Sequence, residues 1–399
     1  MSKVIIDKNK IKELLERGVE KVVDKKHLEK RLLAGEKLRV KLGLDPTGSK
    51  LHLGRAISLW KLRDFQDLGH QIVLIIGDFT AKIGDASDKD SERPMLTDEQ
   101  IQKNLKDYKK QIGLILDLDK TEFHYNSEWL KKFNPADIIK LASLFTIQQI
   151  IQRRNFKERF ETGKEIGLHE TLYPLFQGYD SVAVKADVET GGYDQLFNLL
   201  AARDIQKYYG QPPQDIMVYE MLIGLDGRKM STSWGNVITL TDSPSEQYGK
   251  IMSMKDELII DYFRLCTRLS MKDVKDIEKT LKSGSLNPRD AKARLAREIV
   301  AIYHGKTAAL SAEREFDRVF REKGQPTKIP QVKVKTKQLP ISELLVEIKL
   351  APSKSEAKRL IEQGGVKIDG EVVKDWKKNV DIKPKMILQV GKRKFVELK

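Results

Sequence analysis

A chain of 399 residues, 40% hydrophobic and 33% charged, can bury a full core and is long enough for two or three domains. Its net charge of +15 and pI near 9.4 point to a polyanionic partner, nucleic acid first. One cysteine, Cys266, excludes an internal disulfide and any multi-cysteine metal site, and its apolar surroundings, LIIDYFRLCTRL, mark it as buried filler.

The N-terminal run MSKVIIDKNKIKELLERG lacks an apolar core of signal-peptide length, and no later stretch approaches a membrane span, so a cytoplasmic protein is expected. Five short β-branched runs then read as strands: LRVKLGLD (38–45), QIVLIIGDF (71–79), TEFHYN (121–126), VAVKADVE (182–189) and DIMVYEMLIG (215–224). Helical patterns separate them, which predicts an α/β fold with a doubly wound parallel sheet. Near 240 the strands stop. SPSEQYGK predicts a helix start, with Ser243 as cap, Pro244 at the first position and Glu246 completing a capping box. From there to about 322 the pattern is helical, and the lysine- and proline-bearing stretch 323–337 reads as a linker. Residues 338–399 predict a small α+β unit, with helices in ISELLVEIKL and SKSEAKRLIEQ and strands in VKIDG, MILQVG and KRKFVELK.

Two segments carry chemistry. LHLGR (51–55) lies where the loop after the first predicted strand becomes a helix. In a doubly wound sheet that junction attracts phosphate, because the helix presents free N–H groups and the positive end of its dipole. Gly54 permits close approach of a ligand, and a neutral His52 imidazole can donate to a phosphate oxygen. An ordinary helix start with a capping histidine would explain these residues equally well. The second segment is GLDGRKMSTSWGN (224–236), in which Arg228 and Lys229 precede Ser231 and Ser233 in a glycine-flanked loop after the last predicted strand. Such a loop can close over a triphosphate and stabilise the departing pyrophosphate. The GxxxxGK[ST] and GxGxxG phosphate loops are absent from the sequence.

Together the two segments resemble the HIGH and KMSKS signatures of class I aminoacyl-tRNA synthetases. IGDASDKDSER (83–93), YPLFQGYD (173–180) and GGYDQLFN (191–198) closely resemble the tyrosyl-tRNA synthetases of bacterial type. NPRDAKARLAREIV (287–300) is similar to that family's helical domain, and the C-terminal unit to its S4-type RNA-binding domain. The resemblance implies a Rossmann-like catalytic domain at 1–240, with a dimer-forming insertion at about 127–165 and a signature loop at 226–236. It implies an α-helical anticodon-binding domain at 241–322 and an S4-like domain at 338–399. It further implies L-tyrosine, ATP with Mg²⁺, and tyrosine tRNA as substrates, a homodimer, and no dedicated protein metal site.

By the same resemblance, Asp85, Tyr173, Gln177 and Gln195 surround the amino acid, and Asp180 meets the phenol hydroxyl. An aspartate there rejects phenylalanine, which would leave a buried carboxylate unpaired; tyrosyl-tRNA synthetases are the standard illustration of that effect. Tyr173, Gln177 and Asp180 also share one face of a helix, as a polar surface stripe would. Gly43, Asp45, Thr47, Gly54, Gly192, Asp194, Arg228 and Ser233 fall on the ATP side. His52, Arg55, Lys89, Arg93, Lys229 and Ser231 serve the triphosphate, and Lys354, Lys358 and Arg359 form a basic helix face for RNA. Three positions depart from the family pattern: Arg55 replaces the second histidine of the first signature, Thr232 the second lysine of the other, and Lys41 a tyrosine that contacts the phenol in some members. The alternatives are an RNA-binding protein on the same scaffold without catalysis, motivated by Arg55 and Thr232, and a tryptophan-specific relative, opposed by Asp180.

Overall fold

The computed structural model describes residues 3–85, 95–321, 329–334, 336–391 and 394–399, and of Ser233 the backbone alone. These form two compact units, 1–306 and 307–399.

The first unit is built on a six-stranded sheet: β1 (Val19–Val23), β2 (Arg39–Leu44), β3 (Gln71–Ile76), β4 (Thr121–Tyr125), β5 (Val188–Gly192) and β6 (Asp215–Tyr219), in the order β1-β6-β5-β2-β3-β4. All neighbours are parallel except β1, which runs antiparallel to β6. Continuous apolar runs such as QIVLII suit this arrangement, because helices cover both faces; all but the first residue of β3 are buried. The chain winds outward from β2 to β3 and β4, then returns to β5 on the other side. The topological switch point therefore lies between β2 and β5, where doubly wound sheets open a crevice at their carboxyl ends.

Four of the five predicted strands lie within their expected runs. The fourth does not. Residues 182–184 close the Tyr173–Val184 helix, and β5 begins only at Val188. Val184 and Ala186 pack with Val73 and Ile75, so tertiary burial overrides the strand preference of VAVKADVE, and Lys185 ends the helix in a left-handed conformation (φ 51°). The run 215–224 forms a strand only to Tyr219; beyond it Ile223 bridges Lys229 and closes the base of the signature loop. The sequence pattern also missed β1, a short half-exposed edge strand with little periodic signal.

After the sheet the chain is helical, as expected. Ser243 accepts from the Glu246 N–H at 3.3 Å, but the Glu246 carboxylate pairs with Lys250 at 3.2 Å, so only half of the predicted capping box forms. The helices Pro244–Met252, Ile259–Cys266, Met271–Lys282 and Pro288–His304 pack within the first unit, together with the sheet. Trp60 Nε1 donates to Tyr303 Oη at 3.2 Å, and Arg17 donates to the carbonyls of Arg264, Thr267 and Leu269. Cys266 is buried.

The second unit carries its own core. Ile341, Leu344 and Leu345 from the Ile341–Glu347 helix, with Ala357 and Ile361 from the Lys354–Glu362 helix, pack against Val366 and Leu388. Its strands are β7 (Gln331–Val332), β8 (Gln338–Pro340), β9 (Val366–Ile368), β10 (Glu371–Val372), β11 (Asn379–Asp381), β12 (Ile387–Val390) and β13 (Lys394–Leu398). Five form a sheet in the order β10-β9-β12-β13-β7, and β11 pairs with β8.

Candidate active site

The two signature segments are tied together by backbone. Leu53 N–H donates to Ile238 C=O and Leu240 N–H to Leu51 C=O, both at 2.9 Å, which fixes the start of the Leu53–Asp67 helix against the strand-like exit of the second loop. They flank a cleft of about 480 Å³ at the switch point.

His52 occupies the cap position of that helix, yet its side chain caps nothing. Its imidazole is buried, and its Nδ1 has no hydrogen-bond partner among the described residues. Burial, with Arg55 and Lys229 nearby, pushes its pKa down to about 3, so the ring is neutral at physiological pH and can carry one N–H donor. A Cβ on Gly54 would come within 3.1 Å of Nδ1, a close contact that would press on the imidazole, and glycine avoids it. The plain capping reading of this histidine is thereby excluded.

Arg55 holds the loop after β2. Its guanidinium donates to Asp45 C=O at 3.1 Å, Thr47 Oγ1 at 2.7 Å and Tyr108 Oη at 2.8 Å. Asp45 in turn accepts from Thr80 Oγ1 at 2.8 Å and Tyr173 Oη at 2.9 Å. Burial and the adjacent carboxylates of Asp45 and Asp85 keep the Tyr173 phenol well above its usual range, hence protonated and a donor.

At the other end of the cleft, Asp85 receives Arg153 Nη2 on one oxygen and Gln195 Nε2 on the other, the latter at 2.6 Å. Asn198 Nδ2 bridges Gln195 Oε1 and Gln177 Oε1, each at 2.9 Å, so Asp85, Gln195 and Gln177 form one ordered polar wall. Asp180 is buried and accepts from Trp129 Nε1 at 2.8 Å and Asn126 Nδ2 at 3.3 Å. The polar-stripe reading of its helix fails, since Tyr173 and Asp180 are both buried and face the cleft.

Above β5, Lys229 Nζ donates to Asp194 Oδ2 at 3.0 Å, and a Cβ on Gly192 would fall 2.5 Å from Asp194 Oδ1. Asn236 braces the second loop from inside: its Oδ1 accepts from Ser231 N–H, and its Nδ2 donates to Asp226 and to Lys229 C=O. Arg228 lies against Asp226, with its guanidinium 4.6 Å from the Trp234 ring centre.

The cleft gathers Gly43, Asp45, Thr47, His52, Gly54, Arg55, Asp85, Tyr173, Gln177, Asp180, Gly192, Asp194, Gln195, Lys229 and Ser231. Arg228 is turned away, held by Asp226 and Trp234. Lys89 and Arg93 lie outside the described residues, as does the Ser233 side chain. Lys354, Lys358 and Arg359 lie exposed along the Lys354–Glu362 helix, paired with Glu343, with Glu362 and the Trp376 ring, and with Glu356 respectively.

Sequence reasoning missed Asn126, Trp129, Arg153, Glu189 and Asn198. Asn126 directly follows β4 at the ligand-binding edge, which is a usable signal; Glu189 carries none as clear, since its strand, VETGG, has few apolar residues to set it off.

The class I tRNA synthetase family (W and Y) matches residues 33–321, and the tyrosine–tRNA ligase C-terminal domain family matches 322–398. The chain belongs to the class I tyrosine–tRNA ligases. It is 49% identical over 390 residues to the tyrosine–tRNA ligase of Moorella thermoacetica, covering 96% of this chain and 94% of that one. It is also 49% identical to the Thermotoga maritima enzyme over 386 residues, 96% of each. Among solved structures, the Archaeoglobus fulgidus tyrosyl-tRNA synthetase complexed with L-tyrosine superposes with a TM-score of 0.62 at 26% identity, over 76% of this chain and 99% of that one. Tyrosine–tRNA ligation is the activity of this chain. The non-catalytic and tryptophan-specific alternatives are set aside accordingly.

Proposed function

We propose that the cleft forms tyrosyl-adenylate in its two halves as follows. The wall of Asp85, Gln195 and Gln177, with Tyr173, receives the ammonium of L-tyrosine, and Asp180 accepts the phenol hydroxyl. A carboxylate oxygen of tyrosine attacks the α-phosphorus of ATP in line, the bond to the bridging oxygen breaks, and pyrophosphate leaves with its electron pair. His52 donates to the triphosphate as a neutral imidazole, while Lys229 and, by family resemblance, Lys89 and Arg93 offset the charge that builds on pyrophosphate. Asp194 and Gly192 meet the ribose, and Asp45 and Thr47 line the nucleotide side together with Gly43 and Ser231. Mg²⁺ enters as part of the MgATP substrate, held by phosphate and water. The tRNA 3′-ribose hydroxyl then attacks the activated carbonyl, loses its proton and releases AMP. Positioning and charge supply the catalysis, with no group required to act as a shifted base.

The observation that carries this reading is the single cleft shared by the ammonium wall, Asp180, His52 and Lys229. Tyrosine-dependent exchange of pyrophosphate into ATP tests it: exchange above a His52→Ala, Lys229→Ala control supports the roles, and its absence removes them.

The division of labour follows the domain expectation in outline: residues 241–322 for the anticodon arm, 323–337 as the connection, whose strand β7 already joins the C-terminal sheet, and the basic helix of 338–399 for the tRNA backbone. The insertion at about 127–165 forms a homodimer contact. Its support is the run of large apolar side chains left exposed there, Ile139, Ile147 and Phe160, with Leu168 just beyond. Translation places the protein in the cytoplasm; among the described residues no helix is long and apolar enough to cross a membrane.

A further inference from the structure

Lys41 and Glu189 are charged residues in the two central strands, and they are register partners across β2 and β5. Neither is exposed: their side chains are 0% and 1% accessible, and Nζ lies 3.0 Å from Oε1. All three ammonium donors of Lys41 are used, on Glu189, on Ser181 Oγ at 2.8 Å and on the Gln177 carbonyl at 3.0 Å. Glu189 accepts from Ser181 Oγ at 3.1 Å, Gln177 Nε2 at 3.3 Å and Gln214 Nε2. Apart from the ion pair itself and the Gln214 bond, every one of these bonds reaches the helix that carries Gln177 and Asp180. Glu189 itself lines the cleft, whereas Lys41 lies behind it.

An ion pair that merely filled the core would be a poor use of two desolvated charges, since packed apolar residues do as well. Here the pair touches the helix on both sides of Asp180, through residues 177 and 181, and supplies the cation of the phenol pocket. We propose that Lys41, paired with Glu189, is a specificity-determining positioning residue: it fixes the helix register of Gln177 and Asp180 and favours the carboxylate form of the pocket's acceptor, so that a substrate without a phenol hydroxyl is refused. The proposal rests on the assignment of Asp180 to the phenol.

The electrostatics around Asp180 agree in sign. Burial pushes its pKa up to about 7; Lys41 from β2 and the Trp129 and Asn126 donors oppose that rise, and Glu189 from β5 adds to it. At neutral pH the carboxyl stands near balance. Removing the cation tips it to the neutral acid, which accepts a phenol hydroxyl poorly and costs less to bury against a phenyl ring.

The test compares wild type with Lys41→Met, with the double variant Lys41→Met/Glu189→Gln, and with Asp180→Asn, in pyrophosphate exchange with tyrosine and phenylalanine between pH 6 and 9. The double variant avoids leaving Glu189 unpaired, so folding, checked by thermal unfolding, does not decide the outcome. The expected result for both Lys41 variants is a rise in KM for tyrosine of tenfold or more with KM for ATP within about twofold. The ratio of kcat/KM for tyrosine over phenylalanine falls at least tenfold, and the acid limb of kcat/KM for tyrosine moves to higher pH. Equal changes in both KM values, or an unchanged substrate ratio and pH limb in the folded double variant, overturn the proposal. If Asp180→Asn also leaves the ratio unchanged, the phenol assignment fails with it; if Asp180→Asn collapses the ratio while the Lys41 variants do not, only the role of Lys41 is lost.

Discussion

Lys229 Nζ lies 3.0 Å from Asp194 Oδ2, so the signature loop's cation already sits over the carboxyl end of β5. In the proposed mechanism that position puts it within reach of a triphosphate bound across the switch point. Lys229→Met should therefore slow adenylate formation roughly a hundredfold or more, the usual loss for one preorganised charge donor, with little change in tyrosine affinity. Thr232, exposed in the short turn that follows, offers no second cation, and Arg228 is committed to Asp226 and Trp234. Thr232→Lys should speed the step, since a charge-assisted hydrogen bond is worth about 1.5–3 kcal/mol. Single-turnover rates measure both; an unaffected Lys229→Met enzyme refutes the role of the loop.

Arg55 gives a contrasting case. Three acceptors fix its guanidinium, and two of them, Asp45 C=O and Thr47 Oγ1, belong to the loop after β2. Its removal should loosen the nucleotide side of the cleft rather than its chemistry. Arg55→Ala is expected to raise KM for ATP about tenfold and lower the midpoint of thermal unfolding, because three hydrogen bonds of a half-buried cation are lost together. A variant with reduced kcat but unchanged KM for ATP would contradict this.

The sheet was legible because parallel strands buried on both faces write themselves as unbroken apolar runs, of which QIVLII is the clearest. The edge strand β1 left no such run, and VAVKADVE reads the same whether Val182 and Val184 end a helix or begin a strand. Family motifs located His52, Lys229 and Asp180, since each lies in a segment with fixed spacing. Partners contributed from elsewhere in the chain were invisible: nothing near Arg153 announces that its guanidinium reaches Asp85, 68 residues away. Lys41 stands out in the sequence as a departure from the family pattern, but its meaning depends on the register that places Glu189 opposite it.

His70 offers a pH test away from the cleft. Its ring is buried beside Phe65, and its Nδ1 accepts from Leu38 N–H at 3.3 Å, which requires a neutral tautomer there. Burial pushes its pKa down to about 4, below the ordinary value near 6.5 of the unfolded chain. The unfolded state thus binds a proton between those values that the folded state refuses, and stability is lost as pH falls. Relative to His70→Gln, the wild type should lose about 1.4 kcal/mol of unfolding free energy per pH unit across that window, and nothing above it. Chemical denaturation at pH 7.5, 6 and 5 measures the difference; a flat one refutes a buried neutral ring.

The subunit contact proposed for the insertion rests on Ile147 and Phe160, 57% and 64% exposed among large apolar neighbours. Burying them against a second copy would remove that area from water at about 25 cal/mol per Å². Light scattering at micromolar concentration should give twice the chain mass, and Ile147→Asp with Phe160→Asp should shift it toward one. A monomeric wild type would end the proposal.

The last prediction separates amino-acid activation from tRNA charging. Every cleft residue precedes 233, whereas Lys354, Lys358 and Arg359 lie in the second unit, which has an apolar core of its own from Ile341 to Leu398. That unit's basic helix keeps its cations at the surface, each beside an acidic partner that a phosphate can displace. Binding built on such contacts weakens steeply with salt, because each phosphate neutralised releases counterions. A chain ending at residue 321, where the first family match stops, should keep tyrosine-dependent pyrophosphate exchange and lose most charging of tyrosine tRNA. The full chain carrying Lys354→Ala, Lys358→Ala and Arg359→Ala should show a shallower salt dependence of tRNA binding with unchanged exchange. Full charging by the shortened chain, or an unaltered salt slope in the triple variant, would remove the C-terminal unit from RNA recognition.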